Sequence, residues 1–190
     1  MQVGRAYLPA LFGSWVVPLV RVRRMTEGEW QSLRAVRLEM LSDTPTAYVE
    51  SLVSAQAQTE GQWRSRAAAM TAPGSVTFVA EDDSGANGFC ALMRVVVKHP
   101  QDIDRPRQAM LISVYVAAAY RGSGLADKLL GHSVEAAASE LGAGLLQLGV
   151  HEDNTRALRF YTRHSFHDTG RREAYALDPA KKEFVMEREL

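Results

Sequence analysis

One stretch of the sequence decides the fold class, and it reads Val114-Tyr115-Val116-Ala117-Ala118-Ala119-Tyr120-Arg121-Gly122-Ser123-Gly124-Leu125-Ala126. Its first residues are β-branched and aromatic, as is typical of a strand, and an amphipathic helix pattern begins at Leu125. Glycines between them allow backbone N–H groups to converge, and the start of a helix adds partial positive charge. The stretch therefore predicts a strand, a turn that could hold a phosphate, and a helix.

Known phosphate-binding turns differ in spacing, so each can be compared with this one. The stretch does not match a Walker A loop, G-x-x-x-x-G-K-[ST], because Lys128 does not stand directly after a glycine and is followed by Leu129. A dinucleotide fingerprint beginning at Gly122 has Asp127 where its third glycine belongs. Two interpretations stay open at this point, a glycine turn without any ligand and a phosphate site of the pattern R-x-x-G-x-A.

A second segment, Asn154 to Phe166, follows a buried-type strand and opens another helix. Asn154, Ala157 and Tyr161 are spaced three and four apart, which places them on one helix face. The small alanine leaves room for a ligand to pass between the amide and the phenol. The alternative is a helix-capping asparagine, a core alanine and a packed tyrosine.

Together, the R-x-x-G-x-A and N-x-x-A-x-x-F-Y-x-x-x-x-F patterns resemble the two motifs of the GNAT superfamily of acyl-CoA N-acyltransferases. The resemblance covers about Val20 to Leu190 and is strongest over Met110 to Phe166. It implies an α/β (α+β) fold, the GNAT acyl-CoA N-acyltransferase fold, with a mixed central sheet of about seven strands flanked by about four helices. The expected domain is 20–190, with an N-terminal extension at 1–19.

The resemblance also implies site residues and acetyl-CoA as co-substrate. Its pyrophosphate would be held by Arg121, Gly122, Ser123, Gly124, Leu125 and Ala126. The backbone of Val114, Tyr115 and Val116 would bind the pantetheine and acetyl group, with the Val116 N–H stabilising the oxyanion. Asn154 and Ala157 would contact the pantetheine arm. Tyr161 would protonate the departing thiolate, because a phenol is a donor of suitable basicity.

One departure concerns the general base. Many relatives carry a glutamate early in the central strand, where this sequence has Met110, and no carboxylate follows before Val116. The base is therefore unassigned, with ordered water, Glu81 or Asp104 as candidates.

Composition limits the function classes. Twenty-two basic and twenty-two acidic residues cancel, which argues against a general nucleic-acid binder. The single cysteine, Cys90, cannot form an internal disulfide, so a reducing, cytoplasmic location is expected. His164 and His167 lack further ligands nearby in sequence, so no metal is expected. The apolar segment Tyr7 to Val20 is interrupted by prolines, which argues against a membrane span or a signal peptide.

Charge is unevenly distributed along the chain. Residues 27–60 hold six carboxylates against two arginines, and residues 155–172 hold five arginines against one aspartate. We expect the acidic segment to attract a cationic amine and the basic one to hold coenzyme phosphates. Two solvated helix faces would explain the same pattern.

The predicted function is N-acetyl transfer from acetyl-CoA to a primary amine by direct attack in a ternary complex. The acceptor is a small-molecule or protein amine, and the segment before Val20 could dock on a second copy to form a homodimer. The alternative is a catalytically silent acyl-CoA-binding sensor or scaffold, which Met110 favours and Tyr161 opposes. A dinucleotide-dependent oxidoreductase is a third interpretation.

Overall fold

A computed structural model describes residues 20–82, 88–98 and 107–190 of the chain. Their strands are β1 Val20–Arg24, β2 Ser75–Asp82, β3 Phe89–Val97, β4 Gln108–Val116, β5 Leu145–His151, β6 His167–Tyr175 and β7 Asp178–Glu189. They form one seven-stranded sheet in the order β1-β2-β3-β4-β5-β7-β6. The pair β4–β5 is parallel and the other neighbouring pairs are antiparallel. The mixed seven-stranded sheet confirms the predicted fold class.

Five α-helices accompany the sheet within these ranges: α1 Trp30–Asp43, α2 Leu52–Gln56, α3 Glu60–Thr71, α4 Leu125–Ser139 and α5 Thr155–Arg163. The Thr77 hydroxyl on β2 donates to the carbonyl of Met70 on α3 at 2.7 Å. Its neighbour Phe78 points to the opposite face and stacks on His132 of α4, with ring centroids 5.4 Å apart. The sheet is thus covered by α3 and the adjoining α1 on one face and by α4 on the other.

The first helix begins later than its sequence predicts. The spacing of Thr26 and Glu29 predicts a capping box, but the helix starts at Trp30 and Glu29 is its N-cap. Glu29 does accept hydrogen bonds from the Thr26 N–H and hydroxyl. The same carboxylate is bound by Arg23 of β1, so it ties a short turn to the strand and the predicted N-cap is wrong.

The polar helical pattern from about Val49 to Met70 predicts one helix, but the structure has two helices there. The first of them, α2, ends at Gln56, and α3 opens with its own capping box between Thr59 and Gln62. This break gives five helices where about four are expected.

The sequence pattern predicts the last two strands near Arg172–Leu177 and Glu183–Arg188. In the structure β6 begins earlier, at His167 opposite Glu187, and ends at Tyr175, whereas β7 is longer than predicted at both ends. The predicted extension at 1–19, and with it the docking segment, lies outside the described residues. Within the described ranges, no helix combines the length and apolar character needed to cross a membrane.

Candidate active site

The sheet opens between its two parallel strands. β4 and β5 pair at three positions only, Gln108 with Leu145, Ala109 with Leu146 and Met110 with Gln147. Beyond them the strands diverge, and a cavity of about 770 Å³ lies between their separating ends. This volume is in the range of small-molecule sites. The cavity between β4 and β5 is called the wedge cavity below.

A bulge shapes the wall that β4 presents to this cavity. Arg94 of β3 pairs with Ile112 while Leu92 pairs with Tyr115, so one β3 residue opposes both Ser113 and Val114. Ser113 takes a positive φ of 54°, as bulge residues can. The bulge shifts the alternation of backbone groups along the rest of the strand.

Beyond the bulge, the backbone groups of Val116 point away from β3. The N–H of Ala117 donates to the carbonyl of Cys90 on β3 at 2.9 Å. Because backbone groups alternate along an antiparallel strand, the preceding Val116 directs its N–H and carbonyl to the opposite side, where β4 lines the wedge cavity. The Val116 carbonyl accepts from Nε of Arg121 at 2.9 Å, in agreement with this direction.

Tyr48, which the sequence analysis missed, fixes the same wall. Its hydroxyl donates to the carbonyl of Val114 at 2.9 Å, and its own carbonyl accepts from the hydroxyl of Tyr175 at 2.7 Å. Burial raises the pKa of Tyr48 to about 12. The phenol therefore stays protonated and remains a donor to β4 at neutral pH.

The glycine turn joins β4 to α4 at the edge of the cavity. Gly122 and Gly124 have φ values of 80° and 82°, which favour glycine, and Gly124 is the N-cap of α4. The first N–H groups of α4 have no partners inside the helix. Of the predicted residues here, Arg121, Gly122, Gly124 and Ala126 line the cavity. The Ser123 hydroxyl instead bonds the carbonyl of Tyr120, and Leu125 is buried in the core.

The side chain of Arg121 is held by the protein itself. Besides the carbonyl of Val116, it binds the carboxylate of Asp43 at the end of α1 and lies 5.8 Å from the centroid of the Tyr115 ring. Tyr115 is buried and donates its hydroxyl to Glu39 at 3.0 Å. Arg121 thus joins β4 to α1, and it lines the cavity together with Arg156 and Arg163 of α5.

The predicted helix face is present on α5. Asn154 is the N-cap, and its Oδ1 accepts from the N–H of Ala157 at 3.1 Å. Asn154, Ala157 and Tyr161 all line the wedge cavity, opposite the glycine turn. The structure thus brings both predicted segments to one cavity.

Tyr161 is held rigidly at this face. It is 6% exposed, and its ring packs edge-on against Phe160 and Phe166, with centroids 5.2 and 5.5 Å away. Burial raises the pKa of the Tyr161 hydroxyl well above its usual range, and the nearby Tyr48 adds to the effect. The phenol is therefore fully protonated at neutral pH.

A carboxylate that the sequence analysis did not single out also lines the cavity. Glu183 of β7 lies directly opposite His151 of β5 and Glu173 of β6. Its carboxyl group lies over Gly149, 3.6 Å from where a β-carbon would be. Burial and the charge of Glu173 raise the pKa of Glu183, and His151 counteracts part of this. Only long-range strand register brings these residues together, so no local motif marks Glu183.

The carboxylates that the sequence analysis considered are engaged elsewhere. Glu81 forms two hydrogen bonds with Arg23 and lies outside the wedge cavity, so it is wrong as a candidate base. Asp104 lies outside the described residues. In the acidic segment 27–60, Glu50 is bound by Arg37 and Arg66 and Glu60 by Arg64. Glu50 thus links α1 to α3, whereas Glu60 pairs within α3 and stays exposed. That the acidic segment attracts a cationic amine stays a prediction.

The two histidines considered as metal ligands lie on different elements. His164 follows α5 and contacts Asp127 of α4 through Nε2 at 2.8 Å, whereas His167 begins β6. This contact joins the two helices that border the cavity. The expectation that no metal is bound stays a prediction.

Comparison with known proteins agrees with this geometry. The sequence model of the acetyltransferase (GNAT) family matches residues 35–166. An uncharacterized N-acetyltransferase of Mycobacterium tuberculosis is 32% identical over 124 residues, which span 65% of this chain and 73% of the relative.

Two solved structures share the fold. An acetyltransferase of the GNAT family from Streptococcus pneumoniae has a TM-score of 0.71 at 17% identity, covering 90% of this chain and 99% of that one. The yncA protein of Salmonella typhimurium, determined with its cofactor acetyl-CoA, has a TM-score of 0.70 at 16% identity, covering 90% and 94%.

Fold and family together define an acyltransferase enzyme. The chain belongs to the acetyltransferase (GNAT) family. The resemblance identified from the two sequence motifs is thereby confirmed.

Proposed function

We propose that this protein transfers an acetyl group from acetyl-CoA to a primary amine, by direct attack while both substrates are bound. One observation carries the proposal: the glycine turn before α4 and the Asn154–Tyr161 face of α5 border the same cavity between β4 and β5. Such a cavity can hold an extended ligand between two strands that have stopped pairing.

The residues present fit the coenzyme. Gly122 and Gly124 have no atom within 4 Å of an added β-carbon, so their backbone is open to a pyrophosphate. The unpaired N–H groups at the start of α4 favour an anion. Arg156 and Arg163 add positive charge on the facing helix. Bound acetyl-CoA would supply the acetyl group as an activated thioester.

Val116 would stabilise the charge that develops on the carbonyl oxygen. Its N–H points away from β3, on the side where the wedge cavity lies, and β4 holds it in place. A preorganised backbone donor of this kind costs no rearrangement during the reaction.

Tyr161 would donate a proton to the leaving sulfur. Its raised pKa keeps the proton on the phenol until a thiolate forms, and its packed ring fixes the position of the hydroxyl. Arg121 would act indirectly, by holding β4 against α1.

Glu183 would accept the proton of the attacking amine. It is half-buried, lines the wedge cavity, and forms no ion pair within the described ranges. Its raised pKa brings the carboxylate closer to the basicity of an effective general base. A carboxylate on β7 thus supplies the group that Met110 cannot.

The alternative function is a silent acyl-CoA-binding module. Met110 favours it, because it lines the cavity where the family resemblance implies that many relatives carry a glutamate. Thiol release from acetyl-CoA, measured against a panel of amines and beside calorimetric titration with acetyl-CoA, separates the two. Amine-dependent release supports the transferase. Binding without release supports the silent module, and absence of binding contradicts both.

A further inference from the structure

A second, smaller cavity of about 200 Å³ lies between helices α1 and α3 on one side and strands β3 and β4 on the other. Five of its nine lining residues are apolar, and three guanidinium groups reach it. We call it the arginine cavity, and its lining is Leu33, Arg37, Met40, Arg66, Met70, Leu92, Arg94, Ile112 and Ser113.

Positive charge exceeds negative charge at this cavity. Arg37 and Arg66 share one carboxylate, that of Glu50, through contacts of 2.8 Å each. Arg37 and Glu50 are well enclosed, with side chains 11% and 12% exposed. Burial lowers the pKa of Arg37 although Glu50 opposes the effect. One carboxylate thus serves two arginines.

The third arginine has no carboxylate partner among the residues that the structure describes. Arg94 donates to the hydroxyl of Ser75 at 2.8 Å and to the carbonyl of Ala69 at 3.0 Å, which are both neutral acceptors. Its burial and the nearby charge of Arg66 lower its pKa. The three arginines and Glu50 therefore leave an excess of two positive charges in a partly enclosed space.

Such an excess favours an anion. A buried charge is costly unless it is paired, and the planar guanidinium matches carboxylate and phosphate oxygens. The volume corresponds to roughly six or seven water molecules, at about 30 Å³ each. It can therefore hold one small anionic group and part of its linker, but not a coenzyme.

The arginine cavity adjoins the wedge cavity. Arg37, Ile112 and Ser113 line both, at the bulge of β4. A molecule whose amine lies in the wedge cavity can therefore extend an acidic group toward Arg94 and Arg66. On the opposite side, Glu173 and Glu183 line the wedge cavity, so the two ends of the combined space differ in charge.

We propose that the arginine cavity binds the anionic group of the acceptor, which is therefore an amine that also carries a carboxylate or a phosphonate. The proposal rests on the proposed function for its amine end. The anion site itself can be tested without any acetyl transfer.

The first test measures anion binding without coenzyme. Inorganic phosphate and malonate are titrated into the wild type and Arg94→Gln at constant ionic strength, with calorimetry as the readout. Loss of one charge-assisted pair should weaken binding about tenfold. Arg34→Gln, on the exposed side of α1, is the matched control and should bind as the wild type does. Wild-type protein that binds neither anion overturns the proposal.

Arg94 also donates a hydrogen bond to Ala69 of α3, so Arg94→Gln could destabilise the fold. Two further variants therefore separate anion binding from folding. Arg94→Lys keeps the charge but loses the planar fork, and Arg66→Gln removes charge without touching Ala69. Circular dichroism establishes folding for each. If every folded variant binds anions as the wild type does, the site is elsewhere and the proposal is wrong.

The second test uses matched acceptors with acetyl-CoA. Each amino acid is compared with its amide, and 2-aminoethylphosphonate with ethanolamine. The wild type should favour the acidic member about tenfold in kcat/KM, and Arg94→Gln should lose the preference.

Preference for carboxylates or for phosphonates identifies the anion, whereas equal turnover of the neutral members contradicts the proposal. If no amine reacts while Arg94-dependent anion binding persists, the proposed function fails and the anion site stands.

Discussion

The carboxyl group of Glu183 lies over the bare backbone of Gly149, with its carbon and Oε1 both 3.6 Å from where a β-carbon on Gly149 would be. A β-carbon on Gly149 would be in van der Waals contact with the carboxyl group, so the carboxyl group of one strand packs directly on the backbone of its neighbour. Because β5 borders the wedge cavity, this arrangement brings an acidic group to the divergence of the two parallel strands.

Replacing Glu183 with Gln should lower kcat about 100-fold, in the range of general-base contributions. Burial raises the pKa of the Glu183 carboxyl in the folded protein, so folding favours the protonated form. The resulting contribution to stability is present at low pH and is lost as pH rises through the folded pKa. Gln does not ionise, so the melting temperature of the variant relative to wild type should increase between pH 4 and pH 8. Glu189→Gln, at the exposed end of β7, is the control. An unchanged kcat would remove Glu183 from the mechanism.

Replacing Tyr161 with Phe removes one hydroxyl and keeps the ring that packs between Phe160 and Phe166. We expect kcat to fall about 100-fold with little change in KM for acetyl-CoA, because the proton is needed only when sulfur leaves. Steady-state kinetics measure both parameters, and thermal denaturation checks that packing is preserved. A variant with wild-type kcat would rule out proton donation by Tyr161.

Replacing Gly124 with Ala introduces no clash but forces a left-handed conformation on alanine, which costs about 1 kcal/mol. The melting temperature should fall by about 2–4 °C for a domain of this size. The affinity for coenzyme A should fall with it, because the N–H groups of the turn are reoriented. Gly131→Ala, inside α4 with nothing nearby, should instead be slightly stabilising. Equal effects of both variants would contradict the role of the turn.

Replacing Arg156 with Glu reverses a charge at the wall of the wedge cavity and should raise KM for acetyl-CoA roughly fivefold at low salt. The effect should shrink as salt screens it. Arg159 lies on the same helix but does not line the cavity, so Arg159→Glu should change KM by less than about twofold. If both variants behave alike, the arginines act through net charge and not through position.

Much of the candidate site could be predicted from the two motifs, because each motif determines the conformation of a short segment. The glycines of the turn need positive φ, and the spacing of Asn154, Ala157 and Tyr161 fixes a helix face, so a short segment determines each wall. The closeness of Glu183 to Gly149 could not be predicted in this way. It depends on the pairing of β7 with β5, which is specified by packing across the whole sheet.

The errors in helix boundaries have a similar origin. Glu29 accepts the hydrogen bonds from Thr26 that its spacing predicts, but it also binds Arg23 of the neighbouring strand, and the helix begins only at Trp30. Thr59 and Gln62 do form a capping box, which a continuous polar helix pattern conceals. A net charge of zero likewise conceals the local excess around Arg94, because compensation depends on which side chains meet in space.

The three residue pairs that join β4 to β5 have a mechanical consequence. Four strands lie on the β4 side of this junction and three on the β5 side, and the two groups are hydrogen-bonded only at one end of the junction. A coenzyme bound between the strands would contact both of them where they do not pair with each other. Binding should therefore make this part of the sheet more rigid. Amide hydrogens along Ile112 to Val116 and Leu148 to His151 should therefore exchange more slowly when coenzyme is present.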